Sequence, residues 1–333
     1  MPSNNEPLVS VVTPAYNGEQ YLRECIESVL AQTYANWDYT IVDNCSTDRT
    51  RDIAREYAAR DSRIRLQSNQ SFVRVIENHN IALRQISPQS KYCKVVAADD
   101  WIFPECLEKM VRLAEENPSV AIVGSYGLCG TTLVNNGVPY TSTVIPGREL
   151  CRRHHLGELY VFGAPTSVLF RSDIVRSRHA FYNENNFHAD TEACYEFLEH
   201  HDFGFVHQVL TFRREREESL TSYADRLNTY LPNILYILTR YGPKYLSEEE
   251  FAHELRRKLR VYYRFLGREV FRMRGREFWS YHLKKLDSVG YPLSIPRLAV
   301  YAASHALDLL LNPKRTAEAV WSRVRGLFRG SRR

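Results

Sequence analysis

The sequence predicts an α/β protein: a mostly parallel β-sheet with helices on both faces, followed by a helical C-terminal extension. Three observations predict it. Apolar, β-branched runs alternate four times with amphipathic segments across residues 8–124, joined by short connections, the pattern of strands linked through crossover helices. Polar residues stand where those runs end. From about Tyr223 onward the strand pattern stops and segments rich in Arg, Tyr and Leu follow at helical spacing. A chain of 333 residues, 44% hydrophobic and 25% charged, can form one large domain or two modest ones. These values exclude a disordered tail, a collagen-like fibre and a disulfide miniprotein.

Each element follows from its residues. Leu8 to Thr13, ending at Pro14, reads as a buried strand. After the Asn17-Gly18 turn, Tyr21, Leu22, Cys25, Ile26, Val29 and Leu30 recur at helical spacing. Tyr39 to Val42 is a second strand, stopping at Asp43, and Thr47-Asp48 caps a helix through Ile53, Ala54 and Tyr57. Ile64 and Leu66 mark a third strand, and a helix is expected over Phe72 to Ile86. Tyr92 to Ala97 is a fourth strand, ending at Asp99-Asp100. Pro104 opens a helix to about Glu116, and Val120 to Gly124 is a fifth strand. Residues 125–220 are less regular, with strands expected at Pro165 to Phe170 and Phe205 to Phe212 and a helix at Asp190 to His201. The pattern shifts near 222, dividing the chain into domains 1–222 and 223–333.

Charge divides the chain too. Residues 251–333 hold 19 Lys+Arg against 6 Asp+Glu, a net +13, whereas residues 1–250 hold 25 against 33, a net −8. Such asymmetry points one end at a polyanion. The seven cysteines are scattered and never form a C-x-x-C pair, which fits a reducing cytoplasm better than a disulfide framework or zinc knuckle. The polar start lacks the form of a signal peptide. Ile295 to Leu311, the nearest approach to a membrane span, is interrupted by Arg297, His305 and Asp308.

In a parallel sheet, ligands sit outside the carboxyl ends of the strands. Tyr16, Asn17, Asp43, Asn44, Asp99 and Asp100 occupy those ends. Asp99 and Asp100 suit a hard divalent cation that completes its shell with phosphate and water; equally, Asp100 caps the following helix. Asp43 suits a base or ribose hydroxyl, or an Asx-turn. No G-x-G-x-x-G follows the first strand and no Walker lysine is present, so dinucleotide and P-loop binding lose support. Asp190 and Glu192, at a helix start, suit a general base or a first-turn acid complementing the helix dipole. Arg213, Arg214 and Arg216, with Ser219 and Thr221, suit a diphosphate clamp or a solvated loop.

In their order and spacing these segments resemble the family 2 glycosyltransferases, inverting nucleotide-sugar enzymes with the GT-A fold. The resemblance spans Pro7 to Ser222. It rests on Val11 to Asn17, the helix carrying Ser28 to Thr33, Ile41 to Thr50, and Ala98-Asp99-Asp100-Trp101. It implies a mixed nucleotide-binding sheet flanked by helices, with Pro14, Ala15, Tyr16 and Asp43 lining the nucleobase and ribose pocket and Asn17 and Asp99 also on the nucleotide. Asp99 matches the metal-ligating last acid of the D-x-D element, with Asp100 just after it, and the implied cofactor is Mg²⁺ or Mn²⁺. Asp190 matches the general base, with Glu192 as its rival. Arg214, with Arg213 or Arg216, matches the basic loop over the diphosphate. Ala97 replaces the first acid of D-x-D, and the Q-x-x-R-W element of processive synthases is absent.

The resemblance implies a metal-dependent inverting transferase moving a sugar, UDP-linked by expectation, to a glycan or lipid-linked acceptor in cell-surface polysaccharide synthesis. The alternatives are a non-catalytic nucleotide- or glycan-binding module on the same fold, and a nucleotidyltransferase, whose glycine-rich basic loop is missing here. Nucleic acid is not an expected partner, since no recognised binding motif is present. The C-terminal quarter interleaves arginines with Leu259, Tyr262, Tyr263 and Phe265, and Trp321 to Arg333 forms an apolar stripe among arginines. Such helices lie on an anionic membrane surface or pack on the catalytic domain. The expected place is the cytoplasm, peripheral on the inner face of its membrane.

Overall fold

The computed structural model describes residues 6–215 and 226–312. The chain divides into two compact units, Met1–Tyr223 joined by Lys244–Leu246, and Ala224–Pro243 joined by Ser247–Arg333.

The first unit is built on a mixed sheet. Strands β1 (Val9–Ala15), β2 (Trp37–Asp43), β3 (Ile64–Ser68) and β4 (Tyr92–Val95) run parallel in the order β3-β2-β1-β4. Helices α1 (Leu22–Leu30), α2 (Thr50–Arg60) and α3 (Val75–Leu83) connect them. The order reverses at β1, the switch point at which such sheets open a crevice. Beyond β4 the sheet continues with β9 (Val168–Arg171), antiparallel to β4 and to β6 (Val120–Cys129). Strand β10 (Asp202–Arg213) then pairs parallel with β6 and antiparallel with the two-residue β5 (Trp101–Ile102). Two short strands, β7 (Thr132–Val134) and β8 (Val144–Ile145), add to β6 and β10. Helices α4 (Cys106–Glu116), α5 (Gly147–Leu156), α6 (Ser172–Arg176) and α7 (Ala189–Phe197) complete the unit.

Alternation along the strands sets the layers. Val9, Val11, Tyr39 and Ile41 face a core shared with Leu22, Ile26 and Val29 of α1, Ile53 of α2 and Met110 of α4. Ser10 points to the opposite face, where its Oγ accepts the Ser87 N–H at 2.9 Å, just beyond α3. The cysteines are all free, and all but Cys45 are buried.

The structure moves several expected boundaries. Helix α3 begins at Val75 and not Phe72, because Phe72 is 58% exposed and turned toward Tyr16. Strand β4 ends at Val95, short of the expected Ala97, and β5 is a further short strand, where the Trp101 ring stacks on Phe212 across the antiparallel pair. Pro165–Ser167 is a single 3-10 turn ahead of β9. Asp100 does not cap α4, which starts at Cys106.

The second unit is helical: α8 (Tyr230–Tyr245, whose last residues cross the division), α9 (Glu248–Phe271), α10 (Arg276–Ser288) and α11 (Ile295–Leu311). Ser247 starts α9 with a capping box shared with Glu250. His282 is buried between helices; its Nδ1 lies 2.5 Å from the Tyr262 hydroxyl and its Nε2 2.8 Å from the Leu227 carbonyl oxygen. No described helix is long and apolar enough to cross a membrane. Arg216, Ser219, Thr221 and the stripe Trp321 to Arg333 lie outside the described residues.

Candidate functional site

The rim at the ends of β1 and β2 gathers the first group of expected residues. Register sets Ala15 beside Asp43, and the Asn44 N–H donates to the Ala15 carbonyl at 2.9 Å. Pro14 is buried within β1. Asp43 is 1% exposed, and its Oδ1 accepts the Ser46 N–H at 3.1 Å. This bond spans three residues, one more than the Asx-turn weighed above, and the carboxylate shapes the loop whatever else it touches. Asn17 is occupied in the same way: its φ is +46° and its Oδ1 accepts the Thr47 N–H at 2.9 Å. Tyr16 stands free of the sheet at 47% exposure, its ring 4.9 Å from Phe72 edge-on.

Sequence reasoning missed Phe72, which it assigned to a helix. Its loop is held by Asn44, whose Nδ2 donates to the Val73 carbonyl at 2.8 Å and whose Oδ1 accepts the Val73 N–H at 3.0 Å. Two exposed aromatic rings beside a sheet switch point offer a surface on which a base can stack.

The second group surrounds the end of β4. Lys94 is fully buried, and its ammonium donates to the carbonyls of Thr166 (2.6 Å) and Val168 (3.2 Å). Thr166 Oγ1 accepts the Ala97 N–H at 3.1 Å and donates to Asp100 Oδ2 at 2.7 Å. Asp100 Oδ1 accepts the Arg214 N–H at 3.1 Å. Burial and the adjacent Asp99 charge push the Asp100 carboxyl up to about 7, opposed by those hydrogen bonds. The Arg214 guanidinium donates through Nε to the Asp99 carbonyl at 3.2 Å and through Nη2 to Glu24, and lies 4.3 Å from the centre of the Tyr21 ring. Lys94, Thr166, Asp100 and Arg214 thus form one chain of hydrogen bonds through the sheet. The buried lysine was legible only as one polar residue in an apolar run.

A divalent cation here would be held through Asp99, which is partly exposed on the turn. Asp100 is 4% exposed, and both its oxygens accept hydrogen bonds. No group of three His, Cys, Asp or Glu suited to a metal occurs among the described residues. One carboxylate is compatible with Mg²⁺ or Mn²⁺, since such ions complete their shells with diphosphate oxygens and water.

A cavity of about 240 Å³ is lined by Tyr160, Gly163, Thr166, Asn135 and Arg213 among others. Arg213 donates through Nε and Nη2 to Cys129 Sγ at 3.3 and 3.1 Å, and its charge acts on both Asp100 and Asp190. Asp190, on the first turn of α7, accepts the Thr191 N–H at 2.8 Å. Burial pushes its carboxyl up to about 6, tempered by that hydrogen bond and by Arg213. Glu192 has other surroundings. It is 2% exposed, and its Oε2 accepts from Asn183 (3.0 Å) and Asn186 (2.8 Å), which ties it to the loop before α7. Asn135 is a further residue that the sequence did not single out. Its φ is +61° and its buried Oδ1 has no partner among the described residues.

Comparison with known proteins agrees with this architecture. The sequence profile of Glycosyl transferase family 2 matches residues 10–178. The putative teichuronic acid biosynthesis glycosyltransferase TuaG of Bacillus subtilis is 34% identical over 137 residues, 41% of this chain and 52% of its own. The first curated relatives are matched over 37–55% of their own length. Staphylococcus aureus TarS 1–349, solved with UDP-GlcNAc, superposes with a TM-score of 0.56 at 19% identity, covering 75% of this chain and 71% of that one. The Pyrobaculum calidifontis mannosyltransferase PcManGT, solved with GDP-Man and Mn²⁺, gives 0.52 at 16% identity, covering 94% and 83%. At such identities the likeness shows the fold, a GT-A-type mixed sheet flanked by helices.

Proposed function

The chain belongs to glycosyl transferase family 2, and from that membership we propose that it transfers a sugar from a nucleoside diphosphate donor to a glycan or lipid-linked acceptor with inversion. Residues 1–222 form the transfer domain in this reading, and residues 223–333 a basic helical region that brings it to the inner face of the cytoplasmic membrane. One observation carries the reading. Arg213 lines a cavity of about 240 Å³, and its charge acts on both Asp100, beside the candidate metal ligand, and Asp190, the candidate base.

Tyr16 and Phe72 hold the base, and Asp43 takes a base or ribose hydroxyl. Asp99 would hold the cation, which when bound would offset charge on the diphosphate. Arg213 and Arg214 supply further positive charge where the leaving group departs. Asp190 removes the proton from the acceptor hydroxyl as its oxygen attacks the anomeric carbon from the face opposite the diphosphate. The anomeric carbon–phosphate oxygen bond breaks as the new glycosidic bond forms, so one displacement inverts the configuration and no protein nucleophile is required. UDP is the donor nucleotide we favour, by likeness to TarS, which was solved with UDP-GlcNAc.

The test is a scan of nucleotide sugars for binding and hydrolysis with Mg²⁺ or Mn²⁺. Turnover that chelation abolishes supports the reading. Binding of nucleotide sugars without transfer to any acceptor favours the non-catalytic module, consistent with Ala97 in place of an acid. No binding of any nucleotide sugar overturns both.

A further inference from the structure

Helix α11 reverses the usual polarity of a surface helix. None of its residues is buried, yet its outward stripe is uncharged. Val300, Leu307 and Leu310 stand at helical spacing and are 66%, 56% and 79% exposed, with Ile295 and Leu311 extending the stripe at either end. Its charged residues, Arg297 and Asp308, are on the partly covered side, where Arg297 lies 4.6 Å from the centre of the Tyr263 ring. A helix that only faced water would carry its charges outward, and a contiguous exposed apolar face marks a docking surface.

A basic ladder runs beside it. Arg256, Arg260, Arg264 and Arg268 recur every four residues on α9 and are all exposed. They have no ion-pair partner among the described residues. The two buried acids of the same helix are taken by others, Glu254 by Arg257 and Lys258, and Glu269 by Arg272 and Arg274. Helices α9 and α11 pack closely: the Ser294 N–H donates to the Tyr263 hydroxyl at 2.8 Å, and a Cβ on Gly267 would come within 2.9 Å of the Tyr301 backbone. Each residue along a helix is turned by about 100°, so Arg264 and Arg268, next to Tyr263 and Gly267, flank this seam.

We propose that the α9–α11 face docks on an anionic lipid bilayer, the uncharged stripe of α11 entering the headgroup–acyl boundary and the arginines of α9 meeting lipid phosphates. Charge complementarity selects this occupant. Residues 251–312 hold 12 Lys+Arg against 5 Asp+Glu, so two copies joined through this face would bring like charges together. An amphipathic surface helix beside arginines binds anionic bilayers by both its apolar area and its charge. The proposal rests on the membrane placement in the reading above and assigns it to described residues, with no part required of Trp321 to Arg333.

The test is co-sedimentation of the full chain with phosphatidylcholine vesicles, with and without phosphatidylglycerol, over a series of salt concentrations. Binding is expected only to the anionic vesicles, weakening as salt rises. A Leu307→Glu/Leu310→Glu double variant and an Arg256→Gln/Arg260→Gln/Arg264→Gln/Arg268→Gln quadruple variant should each lower the partition coefficient at least about tenfold. All six residues are exposed, and circular dichroism checks that both variants keep their helix content. Wild-type binding to neither vesicle overturns the proposal, as does binding that both variants retain. A wild-type dimer in sedimentation equilibrium that the leucine variant dissolves, without vesicle binding, also overturns it, in favour of self-association. Donor hydrolysis is measured separately, so vesicle binding without turnover defeats the transfer reading and leaves this one standing.

Discussion

At Asp190 the physical setting makes a sharp demand on the proposed chemistry. A carboxyl raised to about 6 is mostly ionised at neutral pH, yet more basic than a solvated aspartate. Only the ionised form can accept the hydroxyl proton, so kcat should rise with pH through about 6 and level off above it. Asp190→Asn is expected to lower kcat about 10²–10⁴-fold while calorimetric donor binding stays within about twofold. A fully active variant removes Asp190 from the mechanism. The aromatic pair answers to a different measurement. Base–aromatic stacking is worth ~1–3 kcal/mol, so Tyr16→Ala and Phe72→Ala should each raise the Kd for the nucleotide about fivefold or more, and an unchanged Kd places the base elsewhere. As candidates, Tyr16, Asp43, Asp99 and Asp190 were legible because motif order marks them. Phe72 was not, because its position comes from the Asn44 amide that holds its loop near Tyr16.

Between elements, the decisive contacts join β4, the 3-10 turn before β9, and the end of β10. Lys94 is a buried cation whose described partners are two carbonyls and the Met110 sulfur, and burial lowers its pKa. Through Thr166 it fixes Asp100 and hence the backbone of Arg214. Lys94→Ala would empty a core site and free two buried carbonyls, at about 3 kcal/mol in a urea titration. Lys94→Met keeps most of the volume, so it should recover much of the stability while kcat stays depressed. Equal recovery of both would show that Lys94 only fills space. Gly163 is a second point of contact. Its φ is +63°, and a Cβ there would lie 2.3 Å from Ser167 Oγ and 2.7 Å from Asn135 Oδ1. Gly163→Ala should therefore cost ~1–3 kcal/mol in backbone strain and weaken binding of the sugar more than of the bare nucleotide. The pairings of Thr166 with Lys94, Ala97 and Asp100 join residues 66 to 72 positions apart, and no local pattern announces them.

Over the whole molecule, the two units should respond differently to acid. The His282 pKa is lowered to about 4 by burial, with its ring held neutral between Tyr262 and Leu227. The unfolded chain takes up a proton near 6.5 that the folded helices refuse until about 4. Stability of the second unit is therefore full above 6.5 and falls as pH drops toward 4, by about 3 kcal/mol in all. Calorimetry should show the transition that contains His282 moving down in acid, and His282→Gln should flatten that movement. The alternation of apolar runs and helices was enough to determine the parallel half of the sheet and its polar rim, because strand period and crossover geometry are local properties of a chain. The charge split was equally plain in the sequence. What only the tertiary structure decided was which of several polar groups face a ligand and which are consumed in holding the fold. Asp100, Glu192 and Asn17 carry the same functional groups as Asp99, Asp190 and Asn135. They differ in their surroundings: distant segments bring hydrogen bonds to Asp100 and Asn17, the loop before α7 holds Glu192, and burial sets the chemistry of Asp190.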